Sequence, residues 1–289
     1  MPDIFPSQGD EAPLRFMTQG ASSRVYARGE EEIVKLFHSA VSDEMIEREA
    51  WASGRAAELG MPAVAPLRAV KMEGSRGLVY PRVNGETLLK AMRKRPWLSG
   101  RIMDAMARLQ ARMHRKEATS GLRRLKDVLR TDIIHGPASD ALKDTALARL
   151  EGMPDGGHLL HGDLHVENIL MEGSDLKVID WSKAALGDPA ADAARTEMLM
   201  RFGDGPEDPL TALSRDWAAR RWRTTYLRES GMDRERIACW RALVAVAWLR
   251  SRKPVREQAF RHYMNDALSK AGLVRDTAMG KGDHDRQIS

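Results

Sequence analysis

A chain of 289 residues with 43% hydrophobic and 30% charged side chains has enough apolar material for one large core or two packed ones. No apolar run approaches the roughly 18 residues of a membrane span, and the single cysteine, Cys239, excludes an intrachain disulfide. The net charge of +5 is uneven: residues 211–261 hold 13 Lys/Arg against 5 Asp/Glu, which leaves −3 on the remainder. These basic residues form no clean stripe and come with no nucleic-acid-binding signature, so they read as a solvated, arginine-rich helical surface rather than an anion or nucleic-acid site. The start, MPDIFPSQGDEAPLRF, has neither the basic opening nor the apolar centre of a secretory signal, and a cytoplasmic protein with no membrane partner is expected.

Residues 13 to about 84 read as a small mixed region. It begins with alternating segments around RVYA and EIVKLFH, joined by the turn-like RGEEE as a β-hairpin. Ser42 offers an N-cap, Asp43 and Glu44 suit a first helical turn, and Gly60 can close a helix whose one face carries Ile46, Glu49, Ala50, Ser53 and Ala57. VAPLRAV and RGLVYPRV follow as two more strands, with Asn84-Gly85 as a break. From Thr87 to about residue 156 the pattern is helical, with Ile102, Met106, Leu109 and Met113 at core spacing.

A strand-rich stretch, HGDLHVENILMEGSDLKVIDW, comes next, its EGSD a hairpin turn between NILM and LKVID. Helices return after Pro189, and IACWRALVAVAWL, apolar nearly all round, predicts a buried one. Trp181, Trp217, Trp222, Trp240 and Trp248 are expected to pack in the core or between lobes rather than to form an aromatic cage. Beyond Gly272 the apolar periodicity is lost, and residues 273–289 are expected to be a disordered tail.

The chemistry concentrates around residues 158–180. An acid able to accept a hydroxyl proton, an amide oxygen soon after, and a second acid at a strand end suit metal-assisted phosphoryl transfer; Asp163, Asn168 and Asp180 supply that set. Hard Mg²⁺ takes oxygen ligands and keeps several waters, so one carboxylate and one amide oxygen suffice beside nucleotide phosphates. His161 and His165 read as structural hydrogen-bonding residues; a zinc pair is disfavoured by the strand-turn pattern and the lack of an obvious third ligand.

HGDLHVENIL with the later VIDW resembles the catalytic loop and metal-binding segment of the aminoglycoside phosphotransferase and choline kinase superfamily, relatives of the protein kinases. Every fixed position of that pattern is matched at the expected spacing; the departure is Val166-Glu167, where many members have Pro-Gly. The resemblance implies an α+β, bilobal protein-kinase-like fold, with a small N-lobe of antiparallel sheet plus helix and a larger, mainly helical C-lobe. It divides the chain into a nucleotide-binding N-lobe over 13–84 and a catalytic and acceptor-binding C-lobe over 85–272. It also implies ATP and Mg²⁺ as cofactors, Asp163 as catalytic base, Asn168 and Asp180 as metal ligands, and His161 as a brace for the loop.

The amino-terminal region offers what a nucleotide kinase further requires. TQGASSRVYA would be the phosphate-covering loop, with the N–H groups of Ala21, Ser22 and Ser23 near the phosphates. Lys35 sits on the next strand, and Glu49 lies on the small, apolar face of the following helix to hold it; a solvated surface pair is the alternative. In LVYPRVNGE the family pattern makes Pro81 the adenine acceptor and Val83 the donor, whereas turn formation alone also explains Pro81, Asn84 and Gly85. GDPAADAAR resembles the family segment after the metal aspartate and gives Asp188 and Asp192 structural roles, Asp192 either holding the catalytic-loop backbone or stabilising a helix N-terminus.

The function expected is an ATP- and Mg²⁺-dependent O-phosphotransferase with a small-molecule hydroxyl as acceptor, neutral or anionic because residues 211–261 are basic. An aminoglycoside or other antibiotic phosphotransferase, a protein kinase and a nucleotide-binding regulatory pseudokinase are the alternatives; the H-G-D loop and the absence of an A-P-E segment speak against a protein kinase.

Overall fold

A computed structural model describes residues 13–275 apart from 73, 119–120, 207 and 252, so residues 276–289 of the expected tail lie outside the described residues. In chain order its elements are β1 (Leu14–Gln19), β2 (Ser23–Arg28), β3 (Glu32–Phe37), α1 (Asp43–Glu58), β4 (Arg68–Met72), β5 (Ser75–Pro81), β6 (Glu86–Thr87), α2 (Leu88–Lys94) and α3 (Ser99–Met113). There follow α4 (Leu125–Ile134), α5 (Asp140–Glu151), β7 (His158–Leu160), β8 (Ile169–Glu172), β9 (Asp175–Val178), β10 (Ala185–Gly187), α6 (Pro189–Phe202), α7 (Pro209–Ser230), α8 (Arg234–Trp248) and α9 (Glu257–Lys270). They form two compact units: the described residues up to Leu98 with Asp163–Ala184, and Ser99–Gly162 with the described residues from Ala185 onward. The first is antiparallel sheet with helices α1 and α2, and the second is larger and mainly helical, the bilobal α+β architecture expected from the sequence.

In the first unit five antiparallel strands run in the order β1-β2-β3-β5-β4. The expected hairpin is β2–β3, with Val25 opposite Lys35. Alternation along β3 sends Val34 and Leu36 to one face, where they pack with Val70 and Val79, and Phe37 to the other, where it meets Leu78 and Ile46 of α1. Each fully buried valine or isoleucine here contributes about 1.5–3 kcal/mol. Ser42 caps α1 by accepting the Met45 N–H at 3.3 Å, and Gly60 (φ +72) ends it in the left-handed region that glycine adopts without strain. The buried stripe of α1 is Ile46, Glu49, Ala52, Ser53 and Ala56, rotated slightly from the expected face: Ala50 and Ala57 are only half-buried.

The EGSD hairpin joins β8 and β9, and β6 pairs with β8 at Glu86–Met171. The connector between α1 and β4 clamps β9 through Val178 N–H to Pro62 O (2.7 Å) and Val64 N–H to Val178 O (3.2 Å). Gly85 approaches the Met171 carbonyl so closely that a Cβ would stand 2.6 Å from its oxygen, a packing reason for the Asn-Gly break.

The second unit is a helical core in which α6 is buried on nearly every side and α8 carries nine buried residues, as its all-round apolar sequence predicts. Trp222, Trp240 and Trp248 are fully buried in it, and Trp181 is fully buried in the first unit. Trp217 departs from the core expectation: it lies on the outer face of α7 and is 41% exposed. The arginines of 211–261 also depart from a merely solvated surface. Arg221 pairs with Asp104, Arg223 and Arg241 with Glu197, Arg236 with Asp188, Arg250 with Asp132 and Arg256 with Asp216, while Arg215 donates to the last carbonyls of α6. Acids outside the segment absorb much of its charge. No helix among the described residues is long and apolar enough to cross a membrane.

Candidate active site

Strand parity puts Lys35 on the same face of β3 as Phe37, toward α1, where Glu49 lies one turn from Ile46. Lys35 Nζ donates to Glu49 Oε1 at 2.6 Å and to Asp180 Oδ1 at 3.3 Å. Burial works against the Lys35 charge, but Glu49 and Asp180 outweigh it and hold its pKa above the usual lysine value. Burial pushes the Glu49 carboxyl up, opposed by the Lys35 ammonium. The solvated surface pair is thereby replaced by a built one.

A further member was not singled out from the sequence. Tyr80 OH donates to the same Glu49 Oε1 at 2.9 Å, and burial together with the Glu49 charge pushes this phenol well above its ordinary pKa, so it remains a donor. The available signal was parity: in β5, Tyr80 follows Leu78 by two and stands opposite Ile33, on the α1 side of the sheet. Tyr80→Phe is expected to leave Lys35–Glu49 in place but loosen it, costing about 0.5–1.5 kcal/mol. A urea melt and the KM for ATP check this; unchanged values in both would remove Tyr80 from the site.

Asp180 stands two residues beyond β9 in the left-handed region (φ 62, ψ 67), which an aspartate tolerates better than most residues. The short 3₁₀ turn after it, Trp181–Lys183, packs on α1 with the Trp181 indole buried, and this directs Asp180 to Lys35. Asn168 is buried and held three ways: its N–H donates to His165 O (3.0 Å), its carbonyl accepts from Ile179 N–H (3.0 Å), and its Nδ2 donates to Asp163 O (2.9 Å). The side-chain nitrogen is thus committed to the loop backbone, which leaves the amide oxygen as the donor for a cation. An amide oxygen and a carboxylate on neighbouring backbone match the hard-oxygen preference of Mg²⁺. Asp163 is buried at the head of this loop.

The remaining expected positions are placed as follows. Ala21 is exposed and Ser22 half-buried in the β1–β2 turn, where Gly20 N–H donates to Ser23 O (2.8 Å) and His38 N–H to Ser22 O (2.9 Å). Ser23 is buried as the first residue of β2, opposite Phe37. Pro81 ends β5 opposite Glu32, and Val83 lies half-buried just beyond it.

In the second unit, Asp192 Oδ1 accepts the N–H of Gly162, the residue preceding Asp163, at 2.8 Å. Its Oδ2 lies 3.0 Å from His114 Nε2 and 3.2 Å from Gln110 Nε2, and His114 Nδ1 is 2.7 Å from the Tyr226 hydroxyl. Burial alone would raise the Asp192 pKa, but the bonds and charge from His114, the charge of His161 and the Gly162 N–H bring it below the ordinary value. Of its two expected roles, Asp192 thus takes that of holding the loop backbone. Asp188 caps α6 through Ala190 N–H (2.9 Å) and accepts from Arg236 (3.0 Å) and Trp240 Nε1 (3.1 Å).

A family model described as the phosphotransferase enzyme family matches residues 13–240. The chain belongs to that family. As a member of the aminoglycoside phosphotransferase and choline kinase superfamily, this phosphotransferase is an ATP-dependent enzyme acting on a small-molecule hydroxyl. No curated protein matches its sequence. Among solved structures, amicoumacin kinase is similar at 17% identity, with 92% of this chain and 90% of that one covered and a TM-score of 0.62. A choline/ethanolamine kinase family protein from Mesorhizobium loti (16% identity, 90% and 87% covered, TM-score 0.57) and an aminoglycoside phosphotransferase from Streptomyces rimosus (18%, 83% and 94%, 0.55) share the fold as well.

Proposed function

We propose that this phosphotransferase moves the γ-phosphate of ATP to a hydroxyl of a neutral or anionic small molecule in the cytoplasm, with residues 13–84 as nucleotide-binding lobe and 85–272 as catalytic and acceptor lobe, the catalytic-loop segment Asp163–Ala184 of the latter packing with the first compact unit. The observation that carries the reading is the Lys35–Glu49–Asp180 triad, a half-buried cation braced between two carboxylates from separate parts of the chain. In this reading Lys35 orients the α- and β-phosphates, and the turn of Ala21, Ser22 and Ser23 covers them. The Pro81 carbonyl and Val83 N–H take the adenine edge. Asp163 accepts the acceptor's hydroxyl proton. Asn168 and Asp180 would hold Mg²⁺, which when bound supplies charge neutralisation on the phosphates.

The acceptor class is supported by the concentration of arginines in the helical unit: among the described residues Arg201, Arg223, Arg241 and Arg256 all pair with Glu197 or Asp216, so Glu197 alone meets three cations. A polycation entering this helical unit meets more repulsion than a neutral or anionic compound. ADP release with ATP and Mg²⁺ against a panel of sugars, amino alcohols, nucleosides, hydroxy acids and aminoglycosides tests it. A neutral or anionic hydroxyl compound is expected to exceed kanamycin-like compounds in kcat/KM by about tenfold or more. Efficient turnover of the polycations with poor use of neutral alcohols would establish the antibiotic reading instead.

A further inference from the structure

Helix α7 buries Ala218, Ala219, Trp222, Thr225 and Tyr226 on one side, and on the other exposes Leu210 (77%), Leu213 (65%) and Trp217. These three recur at i, i+3 and i+7, so they share one face and make a continuous apolar stripe over two turns. The charges at its ends differ in sign. Asp204 and Asp208 are exposed just before the stripe, and Arg220 and Arg228 are exposed beyond it.

We infer that this stripe is a self-association surface on which a second copy of the chain lays its own α7 antiparallel. A two-fold axis near Leu213 sets Trp217 of each copy level with Leu210 of the other, and Arg220 of each within one residue's rise of the other's Asp208. By the two-fold, the apolar pair and the charge pair are each made twice. Parallel pairing would oppose Asp208 to Asp208 and Arg220 to Arg220. An anionic membrane surface fits less well, because Asp204 and Asp208 flank the apolar residues where such a surface requires cations. A contact of two helices over this length falls below the roughly 1,200 Å² of a standard interface, so the dimer is weak and concentration-dependent.

Sedimentation of the full chain tests this with two variants at the axis, Leu213→Glu and Leu213→Lys. The residue is exposed, so both variants are expected to keep the wild-type thermal melt. The wild type is expected to pass from monomer to dimer as concentration rises through the micromolar range, and each variant to stay monomeric because like charges meet across the axis. An equimolar mixture of the two is expected to associate roughly fivefold or more tightly than either alone, since each Glu then faces a Lys. A wild type that stays monomeric throughout, variants that dimerise like it, or a mixture no tighter than its components would overturn the inference. The first of those results would leave the stripe to a different partner.

Discussion

Asp163→Asn is expected to lower kcat by about two to four orders of magnitude while nucleotide affinity stays within a few-fold of wild type. The substitution keeps size and removes the oxygen proposed to take the acceptor proton. It removes neither the Asn168 Nδ2 bond to the Asp163 backbone carbonyl nor the Lys35 bonds to Glu49 and Asp180. Chemistry should therefore fail without loss of the nucleotide site. Steady-state kinetics with ADP release, alongside titration of a non-hydrolysable ATP analogue, separates the two quantities. Turnover at the wild-type rate would remove Asp163 as base, and a matching collapse of nucleotide binding would make its role structural.

Glu197→Ala is expected to destabilise the protein by about 3–5 kcal/mol, because deleting the shared anion of a buried ionic cluster leaves the arginines that meet on it under-compensated. The Glu197 side chain is 1% exposed and accepts from Arg201 Nη2 (3.1 Å), Arg223 Nη1 (2.7 Å) and Arg241 Nη2 (2.8 Å), so three cations lose their common anion at once. For a chain of this length that corresponds to a fall in Tm on the order of ten degrees. Arg241→Met, which removes one of the three cations, should cost far less. A differential scan of both variants checks the ordering; a Glu197→Ala melt within a degree or two of wild type would show that the cluster contributes little.

Much of the first unit was legible because its information is local. Alternation in EIVKLFH set the orientation of Lys35, a helical period with a Ser42 cap set that of Glu49, and turn residues marked the hairpin before Asp180. Once those periods are known, the face of each side chain follows from backbone geometry. Tyr80 obeyed the same rule and was passed over because a tyrosine after Leu78 reads equally as core; only its 2.9 Å bond to Glu49 separates the two.

The sequence by itself determined the identity and order of the strands and helices around the site, the H-G-D loop with its Asn168 and Asp180, and the family to which they point. Tertiary structure alone decided where charge is spent. Glu197 on α6 gathers arginines from α6, α7 and α8, Asp192 joins Gly162 to His114, and Trp217 turns outward while Trp222, five positions on, turns in. The reason is range: periodicity reports which face a residue occupies within its own element, whereas a salt bridge or a buried indole depends on which other element that face meets, and partners far apart in the chain leave no mark in either local pattern.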